Sequence, residues 1–303
     1  MTELDKANEN DVIEAHIATY SFNTRKAYES AFRKLKNILG GDIRDTSEDE
    51  IIKKVKGEVE NKNSMNALIN IAIKVKRIFD QNHDILVEYR DHTLRGAIHK
   101  STIAKNTRLS PLLPTYNEVD TWIDGLYTSG DYRQYVINFL IWNLNTRNLD
   151  LWARFIRNTK EATGEHNYLV LTAHKVEYIR RRYKTAGTYG EKFNVITNSK
   201  FVKACWELTK GFYRDPETHP YWLVLKSGPG SEGEPSTEEQ IGHYVSSQTF
   251  DKIGESNYLK IIMAHIDATG NISRLNHISR NRGTHTNVLL TNYNIKNKLF
   301  IEP

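Results

Sequence analysis

The stretch Phe139-Leu140-Ile141-Trp142-Asn143-Leu144-Asn145-Thr146-Arg147-Asn148-Leu149-Asp150-Leu151 decides how the chain is organised. Its first six residues continue an apolar run whose spacing predicts a helix over 132–144. Asn145 and Thr146 end that run, and an arginine follows with an aspartate three positions later. One reading of Arg147 is a surface arginine at a helix start, paired with Asp150.

Working upstream, a further helix is predicted over 116–126. Before it, residues 106–115 contain Pro111 and Pro114 and lose helical periodicity. They read as a linker between a domain at 1–105 and a larger one at 116–303. The first domain reads as helical throughout, with helices over 21–39, 46–59, 65–79 and 87–105. In the first of these Ala27, Tyr28, Ala31, Leu35 and Ile38 share a face. Asn23 or Thr24 is placed to cap its start, and Gly40-Gly41 to stop it. Thr46 or Ser47 is placed to cap the second helix.

Downstream the character changes. Residues 168–172 and 193–197 read as short strands, and 176–183 fits a strand or a helix. Gly187 and Gly190 supply a turn between Lys184 and Lys192. Helices return at 199–212, 249–269 and 271–280, while 227–238, rich in Gly, Pro, Ser and Glu, reads as a loop. The expected fold is mainly α with a small β-sheet: a helical first domain and a mixed α+β second domain.

Composition narrows the function classes. Of 303 residues, 39% are hydrophobic and 26% charged, as in a globular protein with a real core. No apolar run approaches the roughly 20 residues of a membrane span, and the acidic, polar opening is unlike a secretory signal. Cys205 is the single cysteine, so a disulfide framework and a Cys-based zinc site are excluded, and a reducing intracellular compartment is expected. The net charge is +5 with a pI near 9.0. Acidic residues gather at the start and at 46–60, basic ones at 74–77, 180–184 and 274–282. Charge segregated in this way leaves faces able to track a phosphate backbone. The abundance of Asn, Ile and Lys suggests an AT-rich coding genome, as in a virus or mobile element. No glycine-rich loop ends in Gly-Lys-Ser/Thr, and no His-Glu-x-x-His or acidic metal cluster is present in the sequence.

Several stretches, in order, resemble the tyrosine recombinase (phage integrase) family. Ser21-Phe22-Asn23-Thr24-Arg25-Lys26-Ala27-Tyr28, followed by Phe32 and Leu35, is similar to the opening helix of that family's DNA-clamping domain. The segment ending in Arg147-Asn148-Leu149-Asp150 resembles its first catalytic arginine segment. Tyr183-Lys184-Thr185-Ala186-Gly187, ahead of the strand at 193–197, resembles the hairpin that carries the catalytic lysine, with Lys184 the first choice and Lys192 the second. Gly283-Thr284-His285-Thr286-Asn287-Val288-Leu289-Leu290-Thr291-Asn292-Tyr293 resembles the closing histidine and tyrosine segment. In that register Lys260 stands where the family has its second arginine, and Asn257 replaces the histidine three residues before it. A second register reads His277-Ile278-Ser279-Arg280 as the His-x-x-Arg motif, but leaves no room for the helix that normally precedes the tyrosine.

The resemblance covers about residues 20–295 and implies a double-stranded DNA partner, self-association on DNA, and neither ATP nor a metal. It implies that Tyr293 forms an ester with a DNA phosphate while Arg147 and Lys260 clamp the phosphate. Lys184 would protonate the leaving 5′ oxygen, and His285 would hold or polarise the phosphate. Asn23, Thr24, Arg25, Lys26, Arg274, Arg280 and Arg282 would contact DNA. The departures matter, because a lysine cannot clamp two oxygens as a planar fork does. Either the chain is a DNA-binding protein that has lost catalysis, or Arg274, Arg280 or Arg282 supplies the missing charge.

Overall fold

A computed structural model describes residues 8–20, 22–210, 222–223 and 238–295, except the side chains at 22, 23, 238 and 239. Two compact units divide between Ala104 and Lys105. The first contains α1 (Glu9–Ile17), α2 (Phe22–Leu39), α3 (Glu48–Glu58), α4 (Lys62–Ile78), α5 (Asp84–Glu88) and a π-helical turn, Tyr89–Leu94. Leu35, Ile51, Val55, Ile69, Ala72 and Leu86 pack its core, and all are almost wholly excluded from solvent. Glu9 reaches into this unit and accepts the backbone N–H groups of Ile43 (3.2 Å) and Arg44 (2.8 Å). Such a carboxylate satisfies loop donors that burial would otherwise leave unpaired.

Ser47 caps α3, accepting from the Glu50 N–H at 3.3 Å. Neither Asn23 nor Thr24 is an N-cap: α2 already begins at Phe22, so both lie inside its first turn. The division of units falls inside α6 (Arg95–Leu109), which runs on through the first residues of the expected linker. The prolines act only near their own positions: the helix stops just ahead of Pro111, at a 3-10 turn, Ser110–Leu112.

The second unit opens with α7 (Tyr116–Thr128), closed at its start by a capping box. Thr115 Oγ1 accepts the Glu118 N–H, and the Glu118 carboxylate accepts the Thr115 N–H. Next comes α8 (Tyr132–Leu144), capped by Asp131 and ended by Asn145 in the left-handed conformation, φ 56°. Asparagine tolerates that geometry better than most side chains. After a 3-10 turn (Asn148–Leu151) the chain forms β1 (Ala153–Ile156), β2 (Asn167–Leu171), β3 (Val176–Arg180) and β4 (Lys192–Ile196), in sheet order 1-2-3-4. β1 and β2 are parallel and the other pairs antiparallel. The sequence reading missed β1, and the short helix α9 (Ala186–Tyr189) occupies the turn between β3 and β4. The remaining described helices are α10 (Ser199–Thr209), α11 (Glu238–Ser247), α12 (Glu255–Thr269), α13 (Ile272–Arg282) and α14 (Thr286–Tyr293).

The helix expected over 249–269 begins six residues late, because a 3-10 turn at Phe250–Lys252 and Gly254 precede it. Of the loop expected at 227–238, all but Glu238 lies outside the described residues. The core joins α8, α10, α12 and the inner face of the sheet through Trp142, Leu140, Phe201, Leu169, Val176 and Tyr258. Among the described residues no helix is long and apolar enough to cross a membrane.

Candidate active site

Strand periodicity places Val176, Tyr178 and Arg180 on the core face of β3. The first two are ordinary core residues. The third puts a fully buried guanidinium beneath the turn that follows α8. Arg180 Nη1 pairs with Asp150 Oδ2 at 3.1 Å, and Nη2 donates to the Asn281 carbonyl (2.9 Å) and to Asn194 Oδ1 (3.2 Å). Asp150 Oδ2 also accepts the backbone N–H of Arg147 at 3.2 Å. Burial raises the proton affinity of the Asp150 carboxyl, and Arg180 opposes that shift.

The relation between Arg147 and Asp150 therefore differs from the expected surface pair. Asp150 takes the backbone N–H of Arg147, while the Arg147 guanidinium turns the other way. Its Nη1 donates to the Arg282 carbonyl and its Nη2 to Thr284 Oγ1, each at 2.8 Å. Those acceptors flank Gly283, where α13 ends in a left-handed residue, φ 55°. A cation at a helix C-terminus is favourably placed. The Arg147 guanidinium binds its proton less tightly than usual, first through burial and second through Arg282.

Arg282 was expected on a DNA-facing surface. It is instead buried, because the last turn of α13 points it inward: Nη1 donates to the Asn145 carbonyl at 3.1 Å, and Nη2 is bound to Glu255. Glu255 is itself held by the Asn148 N–H at 3.3 Å. The Arg282 guanidinium also lies over the ring of Tyr293, 5.7 Å from its centroid, and a charge on Tyr293 is felt at Arg147. Tyr293 is half-buried at the end of α14. The end of α14 is anchored by Asn106, a buried side chain of α6 that donates to the Asn292 carbonyl at 3.1 Å. Asn106 belongs to the expected linker, yet it satisfies a helix-end carbonyl in the folded unit.

The structure thus gathers Arg147, Arg180, Arg282, Asp150, Glu255 and Tyr293: three guanidiniums against two carboxylates. Lys192 adjoins this group. It pairs across strands with Arg180, is half-buried, and has its ammonium 5.2 Å from the Tyr189 ring centroid. Burial, then Arg180, lowers its proton affinity.

The other sequence candidates sit differently. Lys184 is exposed, and among the described residues it has no hydrogen-bond or ion-pair partner. His285 is exposed at the start of α14 and makes no capping bond. Lys260 is only 8% exposed, and its ammonium lacks a hydrogen-bond or ion-pair partner among the described residues. Burial lowers its proton affinity, and the charge of Lys105 lowers it further. Asn257 is turned onto its own helix, donating to the Ile253 carbonyl at 2.9 Å. Arg274 lies over the Tyr116 ring at 5.2 Å, and Arg280 is exposed. In the first unit Thr24 and Lys26 are exposed, and Arg25 pairs with Glu29 at 3.7 Å. The side chain of Asn23 lies outside the described residues.

Arg180 and Glu255 escaped the sequence reading, whereas Arg282 was one of three arginines offered for the missing charge, and it alone of the three is buried. The signal for Arg180 was present, since strand alternation through Val176 and Tyr178 already assigned it to the buried face. No protein-family model matches the chain, and no curated protein or solved structure matches it either.

Proposed function

We propose that this chain breaks and rejoins double-stranded DNA through a tyrosine ester, with Tyr293 as the nucleophile and Arg147 and Arg282 as the phosphate clamp. The observation that carries this reading is the Arg282 guanidinium over the Tyr293 ring at the end of α14, while the Arg282 carbonyl holds the Arg147 fork. A phenol attacks poorly unless positive charge or a base assists it. A phosphoryl transition state spreads negative charge over oxygens that fixed guanidiniums stabilise. Each guanidinium has five N–H donors, and the described residues occupy two on Arg147 and two on Arg282. Those left on Arg147, which is half-buried, are the ones that would meet a phosphate, with the buried Arg282 adding its charge from behind.

In the first step the Tyr293 hydroxyl gives its proton to solvent as its oxygen attacks phosphorus, the bond to the 5′ oxygen breaks, and that oxygen takes a proton from a lysine. Lys192 suits the donor role better than Lys184. Its proton is held less tightly than that of an ordinary lysine, and it adjoins the arginine cluster. Reversal with a new 5′ hydroxyl rejoins the strand, so the phosphodiester energy is conserved in the ester.

A second reading is a DNA-binding protein of the same ancestry that clamps without cutting. It is favoured by Arg147 being bound to its own chain and by the exposed position of His285. One experiment separates the two. Duplexes selected from a random pool by the protein itself are nicked beside each phosphate in turn, so that a cleaved strand cannot be rejoined. A covalent protein–DNA adduct resistant to denaturant supports the first reading. Selected duplexes that bind tightly but never form an adduct support the second. Failure to select any duplex sinks both.

A further inference from the structure

Gly283 is the most tightly enclosed glycine of the described chain, and what encloses it is the turn between β3 and β4. A Cβ at this position would lie 2.6 Å from Thr185 Oγ1, 3.0 Å from Tyr189 Cδ2 and 3.2 Å from Tyr183 Cε2. Its φ of +55° also disfavours any side chain. The Thr185 hydroxyl donates to the Gly283 carbonyl at 2.9 Å. The turn is braced in its own right, because the Tyr183 hydroxyl donates to the Gly190 carbonyl at 2.7 Å. On one side of Gly283 is the Arg282 carbonyl, on the other Thr284 Oγ1, and these are the two acceptors of the Arg147 guanidinium. On the far side of the turn, Tyr189 carries the Lys192 ammonium on its ring.

We infer that Thr185 is a positioning residue for Arg147, acting through Gly283. The Thr185–Gly283 bond adds to the Ser279 and Arg280 bonds the one tie from the turn to the backbone whose two flanking oxygens aim the Arg147 fork. The same turn sets the ring on which Lys192 rests, so one contact registers the arginine and the lysine together. Loss of this single bond leaves both helices and the sheet intact. The Ser279 bonds to Thr284 and the Arg280 carbonyl still hold the helix end, so what loosens is the outer edge of Gly283, and with it the aim of the Arg282 carbonyl and the Thr284 hydroxyl. The inference concerns geometry, and its use in catalysis rests on the reading given above.

The test uses Thr185→Val, which keeps the shape and removes the donor, and Thr185→Ser, which restores the donor. Arg147 side-chain N–H resonances are identified by their loss in Arg147→Lys, and their exchange with water is measured in the full chain. The expected result is exchange at least several-fold faster in Thr185→Val and near wild type in Thr185→Ser. Unchanged Arg147 exchange in Thr185→Val, with cooperative unfolding preserved, overturns the inference whether or not the protein cuts DNA. Where the wild type forms an adduct, Thr185→Val lowers its maximal rate, leaves DNA affinity unchanged, and is rescued by Thr185→Ser. A wild type that forms no adduct removes the catalytic reading alone, since the exchange measurement still decides the positioning role.

Discussion

The Arg282 guanidinium stands 5.7 Å from the centroid of the Tyr293 ring, while its carbonyl oxygen accepts a 2.8 Å bond from Arg147. One residue therefore touches the candidate nucleophile with its side chain and the candidate clamp with its backbone. Such an arrangement ties the position of the phenol to that of the fork. It also gives Arg147 a duty in the fold beside the one proposed for it at a phosphate.

Those two duties can be measured separately. Arg147→Ala leaves the Arg282 carbonyl and the Thr284 hydroxyl without their charged donor, and it is expected to destabilise the protein by about 1–3 kcal/mol. Chemical denaturation checks this. DNA affinity stays within a few fold and any adduct disappears. Arg147→Lys keeps the charge but cannot reach both acceptors, so it recovers part of the stability and little of the adduct. An Arg147→Ala protein as stable as the wild type contradicts the capping role.

Lys192 and Lys184 are distinguished by pH. A lysine that donates a proton is active while protonated, so adduct formation falls as pH rises through its pKa. Burial and Arg180 place that midpoint for Lys192 below the ordinary lysine value. The expected outcome is a declining alkaline limb that vanishes in Lys192→Ala, together with a large loss of rate. Lys184→Ala retains both the rate and the limb. An unchanged limb in Lys192→Ala reassigns the donor.

The helical pattern was legible because apolar spacing and caps are local: α8 occupies the predicted 132–144, and Ser47 caps α3 as one of two candidates. The linker was misread because proline signals were extended upstream of where they act, into α6. At the site, Arg147 and Tyr293 stood out by their surroundings in sequence. Arg180 and Glu255 did not, and Arg282 was only one of three arginines offered, since their pairing spans 27 to 135 residues of chain and depends on how the sheet and the last helices close. Basic runs at 180–184 and 274–282 read as faces able to track a phosphate backbone, yet each contributes one arginine to the interior.

Lys260 offers a test of a different kind. The Lys260 side chain is largely buried near another lysine, with no acidic partner among the described residues, so the fold disfavours the protonated form. A lysine whose folded pKa is lowered binds fewer protons folded than unfolded between the two values. Stability then rises with pH across that window and is depressed below it. In phosphate-free buffer, Lys260→Met is expected to be more stable than the wild type near pH 7, on the order of 1 kcal/mol. The advantage narrows as pH climbs toward about 10.4, the unperturbed lysine value. A Met variant less stable than the wild type at pH 7 shows that Lys260 has a compensating partner. For chemistry, a second clamp at 260 requires Lys260→Arg to speed adduct formation, whereas a clamp made by Arg147 and Arg282 leaves the rate little changed.

The last prediction concerns Tyr293 and Arg282 together. Tyr293→Phe removes one oxygen and keeps the ring that lies under the Arg282 guanidinium. Stability and DNA affinity should therefore hold, while the adduct is eliminated. Arg282→Lys keeps the charge but loses the planar fork that reaches both the Asn145 carbonyl and Glu255. Loss of one charge-assisted bond, about 1.5–3 kcal/mol, corresponds to roughly a 10- to 100-fold slower adduct rate. Because the Arg282 backbone also holds Arg147, the effects of Arg282→Lys and Arg147→Lys should be less than additive in rate. The double variant should then resemble the slower single one. Fully multiplicative losses place the two arginines in separate roles, and an adduct that survives Tyr293→Phe moves the nucleophile to another residue, to be found by mapping the DNA-linked peptide.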